Sequence, residues 1–124
     1  MMFKRSVLLA AAPMILLAAK DDPMAGRVAG SPAKCLSSID ATARAEIVDA
    51  RTITYSRTAK RTWVVHPRGT CLGLQPGRTL VVEQRGAQLC EGDRFRTVQS
   101  TSSVPSAACT FDAFVPYDLK DTRR

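Results

Sequence analysis

The sequence is short of the residues on which most enzyme active sites depend. It has a single histidine, His66, and aromatic residues make up only 6% of the chain. It lacks the G-x-S-x-G pattern of a nucleophile elbow, the Walker phosphate loop and the glycine-rich dinucleotide fingerprint. We therefore expect no cofactor. Any acid–base or nucleophilic scheme based on histidine would have to use His66, which is otherwise expected to be a surface residue at a strand end.

Metal-binding and membrane-spanning patterns are also missing. No C-x-x-C pair is present and the four cysteines are far apart, which argues against a zinc site and against a redox-active dithiol. The apolar run over residues 7–19 is shorter than the about 20 residues that a helix needs to cross a bilayer. We expect no metal, and no transmembrane segment in the mature chain.

The first residues instead have the three parts of an export signal. Lys4 and Arg5 form a positive segment, residues 7–17 are apolar, and Ala18 and Ala19 provide the small residues of a cleavage site. Lys20 stands where a lipoprotein would carry its lipidated cysteine. The pattern predicts a signal peptide over residues 1–19 and an exported, unlipidated mature protein in the periplasm or outside the cell.

All four cysteines, Cys35, Cys71, Cys90 and Cys109, follow this signal. An even number of cysteines in an exported chain indicates disulfides. Three pairings are possible, and we favour a nested one in which Cys71–Cys90 joins the ends of a central strand and Cys35–Cys109 joins the ends of the folded part. Each bridge would add about 2–4 kcal/mol to a free energy of unfolding that is typically about 5–15 kcal/mol.

Six segments have the residue patterns of strands, separated by turns that contain Gly or Pro. They are residues 43–48, 51–57, 62–66, 79–85, 94–99 and 109–117. A short helical turn is expected at 38–41, although residues 36–50 also fit a longer helix. Tyr55 and Trp63 alternate with polar residues, which predicts that both lie in the core. The fold class is mainly β: a small antiparallel barrel or rolled sheet of four to six short strands, stabilised by disulfides.

The expected organisation is one small domain. The signal peptide occupies residues 1–19, a flexible leader rich in Gly, Pro and Ala occupies 20–34, the β domain 35–117 and a charged tail 118–124. A domain of this size buries roughly two thirds of its unfolded surface, so its core is modest and a covalent link helps to stabilise it.

Several short motifs resemble those of a known family. They are Val48-Asp49-x-Arg51-Thr52-Ile53, Cys71-Leu72-Gly73-Leu74, Leu89-Cys90-x-Gly92-Asp93 and a closing Cys109. Over residues 35–116 the chain resembles a family of small exported bacterial proteins known only as a domain of unknown function. The resemblance implies an envelope or secreted location, structural cysteines and no assigned activity. Residues 65–68, Val-His-Pro-Arg, depart from the family's Asn-Arg-Leu-Pro-like pattern.

Charge is the remaining functional signal, since the formal net charge is +7. A basic surface attracts polyanions, and for an exported protein the nearest of these are anionic components of the envelope. Arginine can bind phosphate or carboxylate through two parallel hydrogen bonds. The alternative is that scattered arginines only keep the surface soluble. The candidate ligand-binding residues are Arg57, His66, Arg68, Arg78, Arg85, Arg94 and Arg96.

We therefore expect a non-enzymatic binding or structural role in the bacterial envelope. One alternative is a small hydrolase in which His66 works with Asp93 or Glu83 and with Ser56 or Thr70 as nucleophile. Another is a nucleic-acid-binding barrel, which would need exposed aromatic residues among the arginines. The sequence offers few of these, and we expect no nucleic-acid partner. The oligomeric state does not follow from the sequence.

Overall fold

Residues 24–120 are described by a computed structural model of the chain, in which the strands form two antiparallel sheets. The larger sheet has the strand order β3-β4-β5-β9-β8-β6, with β1 added to β9, and the smaller sheet consists of β2 and β7. The larger sheet is bent into a nearly closed barrel, which confirms the predicted fold class. The elements are β1 (Arg27–Ala29), β2 (Cys35–Leu36), α1 (Ser38–Ala41), β3 (Arg44–Asp49), β4 (Thr52–Thr58), β5 (Arg61–Pro67), β6 (Thr79–Glu83), β7 (Leu89–Cys90), β8 (Arg94–Val98) and β9 (Cys109–Leu119).

All six predicted strands are present, as β3, β4, β5, β6, β8 and β9. The additional strands β1, β2 and β7 are only two or three residues long, which is too short for an alternating pattern to show. The predicted helical turn is α1, and Ser37 caps it by accepting a hydrogen bond from the backbone N–H of Asp40 at 3.2 Å. No helix within residues 24–120 is long and apolar enough to cross a membrane.

β9 is the strand around which the larger sheet is built. It has 11 residues, and β5 pairs along one edge from Phe111 to Asp118. Its other edge is shared by β8 at Cys109 and Thr110, by Ala33 at Phe114, and by β1 at residues 117–119. The final strand was predicted over residues 109–117 and is present. Strand pairing on both edges extends it by two residues to Leu119.

The segment from residue 24 to 34, which we predicted to be part of a flexible leader, is built into the sheet. Ala33 exchanges backbone hydrogen bonds with Phe114 at 2.7 and 2.9 Å. The Arg27 side chain donates to the carbonyl oxygens of Ala59 and Tyr117 at 2.8 and 3.1 Å, which fixes β1 against two other parts of the sheet. The prediction failed because this segment has no apolar period and is ordered by the open edge of β9. The predicted signal peptide lies outside the described residues.

The core is centred on three phenylalanines that are fully buried. The Phe95 and Phe111 ring centroids are 4.4 Å apart, and Phe111 and Phe114 are 5.7 Å apart. Tyr55 is 2% exposed and Trp63 packs against this cluster half-buried, as predicted. Burial raises the pKa of the Tyr55 hydroxyl, since the phenolate would lose its hydration. The large aromatics thus supply much of a small core.

All four cysteines form disulfides, as predicted, but the nested pairing was wrong. The bridges are Cys35–Cys90 and Cys71–Cys109. Cys35 and Cys90 stand directly opposite each other in the two-residue β2–β7 ladder. The loop after β5 begins with a hydrogen bond from Arg68 N–H to Thr110 O at 2.8 Å, which directs Cys71 toward the start of β9. In the sequence Cys71 and Cys90 flank β6. In the fold, however, Cys71 is bonded to Cys109 at the start of β9, and Cys90 is bonded to Cys35 in β2.

Candidate functional site

The predicted ligand-binding residues do not all lie on one surface. Arg57 forms an ion pair with Asp40 at 3.5 Å near α1, and Arg68 approaches Glu91 at 3.9 Å. Arg78 donates to a backbone carbonyl oxygen at 3.3 Å. Exposed ion pairs of this kind contribute at most about 1 kcal/mol to stability. These arginines are engaged separately, so the structure does not assemble the full predicted set into one site.

Three of the predicted residues, Arg85, Arg94 and Arg96, do come together on the outer face of the β6–β8 pair. Arg94 stands opposite Glu83 in the ladder, and side chains that are directly opposite share a face of the sheet. Arg96 is two residues further along β8, so the alternation of side chains places it on the same face. Arg85 follows the end of β6 and lines one depression with Glu83 and Arg94. The opposite face of β8 carries the buried Phe95. We call Arg85, Arg94 and Arg96, with Glu83, the guanidinium patch.

Within the guanidinium patch only one arginine has a carboxylate partner. Arg96 Nε donates to Glu83 Oε1 at 3.2 Å, and Arg96 Nη1 donates to the Ser106 carbonyl oxygen at 3.3 Å. Arg85 and Arg94 have no carboxylate partner among residues 24–120. Together with Glu83 and Gln84 they line a depression of about 340 Å³. The depression therefore offers two guanidinium groups whose donors suit a phosphate, sulfate or carboxylate.

His66 lies elsewhere, in a depression of about 640 Å³ at the turn between β3 and β4. Its Nδ1 is 2.6 Å from the carbonyl oxygen of Arg51. Because a carbonyl oxygen only accepts, Nδ1 must carry the proton, and in the neutral ring Nε2 is then left with its lone pair. The Asp49 carboxylate accepts from Arg51 N–H at 2.8 Å and so holds the turn that orients the ring. Asp112, from β9, lines the same depression.

The carboxylates predicted to assist His66 are engaged in other places. Glu83 belongs to the guanidinium patch. Asp93 is 5% exposed and accepts a hydrogen bond from Cys90 N–H at 2.8 Å, which closes the turn before β8. No group of three His, Cys, Asp or Glu side chains that could hold a metal ion occurs within residues 24–120.

The predicted nucleophiles are likewise outside the His66 depression. Ser56 shares a hydrogen bond with Thr62 across the β4–β5 pair, with 3.0 Å between the hydroxyl oxygens. Thr70 lines a neighbouring depression of about 390 Å³, together with the disulfide-bonded Cys71 and the exposed Leu72. The structure therefore brings none of the four predicted partners into the space around His66.

The aromatic side chains within residues 24–120 are all buried or half-buried. The half-buried Trp63 ring already has the Arg61 guanidinium 5.5 Å from its centroid. A nucleic-acid-binding barrel normally stacks bases on exposed rings. The described residues form no such stacking surface.

Sequence reasoning missed the residues that actually surround His66, namely Asp49, Arg51 and Asp112. The Asp-x-Arg turn signal of Asp49 and Arg51 is visible in the sequence, where an aspartate side chain commonly bonds the backbone two residues on. Asp112 had no such signal, because it reaches the site only through the pairing of β9 with β5.

A comparison of the chain with protein-family models, with curated proteins and with solved structures finds no match.

Proposed function

We propose that the protein is an exported β domain that binds an anionic component of the bacterial envelope through the guanidinium patch, and that it has no enzymatic activity. The observation that carries this proposal is that Arg85 and Arg94 line one depression and that neither forms an ion pair with a carboxylate among residues 24–120. The net charge of +7 supports it, since long-range attraction concentrates polyanions near the surface. Two disulfides fit a chain that folds in an oxidising compartment, in the periplasm or outside the cell.

The ligand would be recognised as a phosphate, sulfate or carboxylate group presented on a larger polyanion. Two arginines in a shallow depression provide direction through bidentate hydrogen bonds but little enclosure. The patch therefore suits the charged head groups of lipopolysaccharide or anionic lipid better than a small molecule that must be buried. The resemblance to a family of small exported proteins agrees with this location and is part of the proposal.

The test compares the Arg85→Ala/Arg94→Ala double variant of the exported chain with the wild-type protein on lipopolysaccharide, heparin and anionic vesicles. We expect the wild type to be retained in a salt-dependent way and the variant to elute at clearly lower salt. The control is Arg44→Ala/Lys60→Ala, which removes the same charge from exposed positions on β3 and in the β4–β5 turn. An equal loss in both variants would show that net charge, and not the patch, binds the ligand. Absence of salt-dependent retention would remove the anionic ligand altogether.

The second candidate is a small hydrolase centred on His66. One observation favours it: the Arg51 carbonyl oxygen fixes the proton on Nδ1, so Nε2 of the neutral ring is available as a base within an open depression. Because no predicted nucleophile lies there, the base would have to activate water. If the His66→Gln variant retained every hydrolytic activity measurable in the wild type, this candidate would fail.

A further inference from the structure

Among residues 24–120, β6 is an open edge of the larger sheet, and it lacks the features that normally protect one. The strand order ends at β3 on one side and at β6 on the other. β3 is irregular, with a register shift between Ile47 and Asp49, and also carries the charged Arg44 and Glu46. Such bulges and charges discourage another strand from pairing. β6, with the sequence TLVVE, pairs with β8 in unbroken register and has one charged residue, at its end.

The hydrogen bonds of β8 show which backbone groups of β6 point to the open edge. Thr97 N–H donates to Ser106 Oγ and Thr97 O accepts from Ser106 N–H, both at 2.9 Å, so the backbone polar groups of Thr97 point away from β6. Phe95, two residues earlier, pairs with Cys109 of β9, so its backbone polar groups also point away from β6. Because directions alternate along a strand, the backbone groups of Arg94, Arg96 and Val98 must point toward β6.

These three residues stand opposite Glu83, Val81 and Thr79. In an antiparallel ladder the two residues of a hydrogen-bonded pair bond each other, so the backbone groups of Glu83, Val81 and Thr79 are used within the sheet. The backbone N–H and C=O of Leu80 and Val82 then point outward at the free edge. An unpaired backbone group at a sheet edge is a template for another strand.

This edge is accessible to another molecule. Every residue of β6 is exposed or half-buried, including Leu80 and Val82, whose side chains turn toward the core. Val81, on the outer face, is 43% exposed. The strand therefore presents backbone donors, backbone acceptors and an apolar side chain at one place.

We propose that β6 pairs with β6 of a second copy, antiparallel, around a two-fold axis at Val81. In this register Leu80 of one copy stands opposite Val82 of the other, so that the outward N–H and C=O of each residue meet those of its partner. Shifting the register by two residues would leave one of these residues facing a position outside the strand. A shift by one residue would place an outer-face residue of one copy directly opposite a core-face residue of the other. A two-fold axis normal to the sheet does not allow this, because it keeps the outer faces of both copies on the same side.

The side chains favour a second copy over an unrelated strand. Val81 would contact the same residue of the other copy, and Glu83 would lie beside Thr79, so that no like charges oppose each other. An isologous contact of this kind uses the same surface on both copies and closes after two chains. Since directly opposite residues share a face, the guanidinium patches of both copies would lie on the same face of the joined sheet.

The first test measures the mass of the full exported chain by sedimentation and light scattering over a range of concentrations. We expect a monomer–dimer equilibrium. The Val81→Lys variant should be monomeric, because it places like charges opposite each other at the two-fold axis. Val104→Lys is the matched control, since Val104 is 74% exposed in the loop before β9, and it should dimerise as the wild type does. A wild-type protein that is monomeric throughout, or a Val81→Lys variant that still dimerises, would overturn the proposal.

The second test fixes the register by cross-linking. The two copies of residue 81 would form a non-hydrogen-bonded pair with Cα atoms about 4.5 Å apart, which is within the range for a disulfide. Val81→Cys should therefore give a covalent dimer on mild oxidation. Thr79→Cys lies on the same face of the same strand, but its two copies would be separated by about 13 Å along the strands and should not cross-link. Equal cross-linking of the two variants would overturn this register.

Discussion

The loop after β5 and the loop before β9 approach each other closely at Gly73. A Cβ atom at this position would overlap the side chain of Ser106. The Gly73 carbonyl oxygen also accepts a hydrogen bond from Thr97 Oγ1 at 2.6 Å, and Thr97 is 1% exposed. Ser106 in turn accepts from Thr97 N–H. Through these contacts β8 holds together the loop after β5 and the loop before β9.

We expect Gly73→Ala to lower the free energy of unfolding by about 1–3 kcal/mol, because the added methyl group must displace Ser106 from its hydrogen bonds with Thr97. Urea denaturation followed by circular dichroism measures the change. Gly86→Ala is the control, since no atom lies within 4 Å of the corresponding position, and it should change stability by less than about 0.5 kcal/mol. Similar losses in the two variants would mean that the contact with Ser106 is unimportant.

The bidentate pair between Arg61 and Asp118 makes stability depend on pH. Arg61 Nε and Nη2 donate to the two carboxylate oxygens at 2.6 and 2.9 Å. This hydrogen bonding lowers the pKa of Asp118 below its ordinary value of 3.8. A lowered pKa in the folded state stabilises the protein above the unfolded value, and that contribution is lost as the pH falls through the folded value.

The wild type should therefore lose more stability than Asp118→Asn when the pH is lowered from about 5 to about 2. The difference will be small, because the pair is exposed to solvent and screened by salt. Thermal unfolding at a series of pH values and low ionic strength measures it. Glu46→Gln, at an exposed position on β3, serves as the control and should follow the wild-type curve. A wild type and an Asp118→Asn variant with parallel curves would contradict the assignment.

At the scale of elements, the sequence determined which segments are strands better than it determined their partners. The alternation in β4, β5 and β8 is local, and so is the capping of α1 by Ser37, so both could be predicted. Pairing is not local: the edges of β9 are filled by residues from both ends of the chain, including β1. For the same reason the disulfide pairing was wrong.

In the candidate site too, local features could be predicted from the sequence, whereas features that depend on strand pairing could not. Arg85, Arg94 and Arg96 could be identified individually as basic residues on the exposed faces of predicted strands. That they share a face with Glu83, while Arg57 and Arg68 do not belong to the group, depends on the register of β6 against β8. Register between strands is set by burial and turn geometry over the whole hairpin, which a single sequence does not reveal.

The disulfide connectivity can be tested by removing cysteines in pairs. Cys71→Ser/Cys109→Ser removes one complete bridge, and the loop of 38 residues that it closes should be worth about 4 kcal/mol. Cys71→Ser/Cys90→Ser, the pair suggested by sequence order, breaks both bridges instead. Alkylation under denaturing, non-reducing conditions followed by mass spectrometry should find no free thiol in the first variant and free Cys35 and Cys109 in the second. The reverse result would restore the nested pairing.

At the scale of the whole molecule, binding and association concern one region of the surface. The guanidinium patch lies on the outer face of β6 and β8. The edge that we propose to pair is the edge of β6 that does not contact β8. Dimerisation through this edge leaves the patch uncovered, since the partner strand is added in the plane of the sheet. It also doubles the number of cationic sites that face in one direction.

The joined sheet should consequently bind a long polyanion more tightly than a short one. Two patches on one face make the second contact intramolecular, which raises the apparent affinity without any new type of contact. The oxidised Val81→Cys dimer and the Thr79→Cys variant with its thiol capped, loaded at a concentration at which sedimentation shows it to be monomeric, differ little in charge per chain, so they isolate this effect. We expect the dimer to elute from immobilised heparin at higher salt than the monomer, whereas a short sulfated oligosaccharide in solution should bind each patch of both proteins with similar affinity. If heparin retained the cross-linked dimer and the monomer equally, the patches would not act together, even if each one binds anions and the edges do pair.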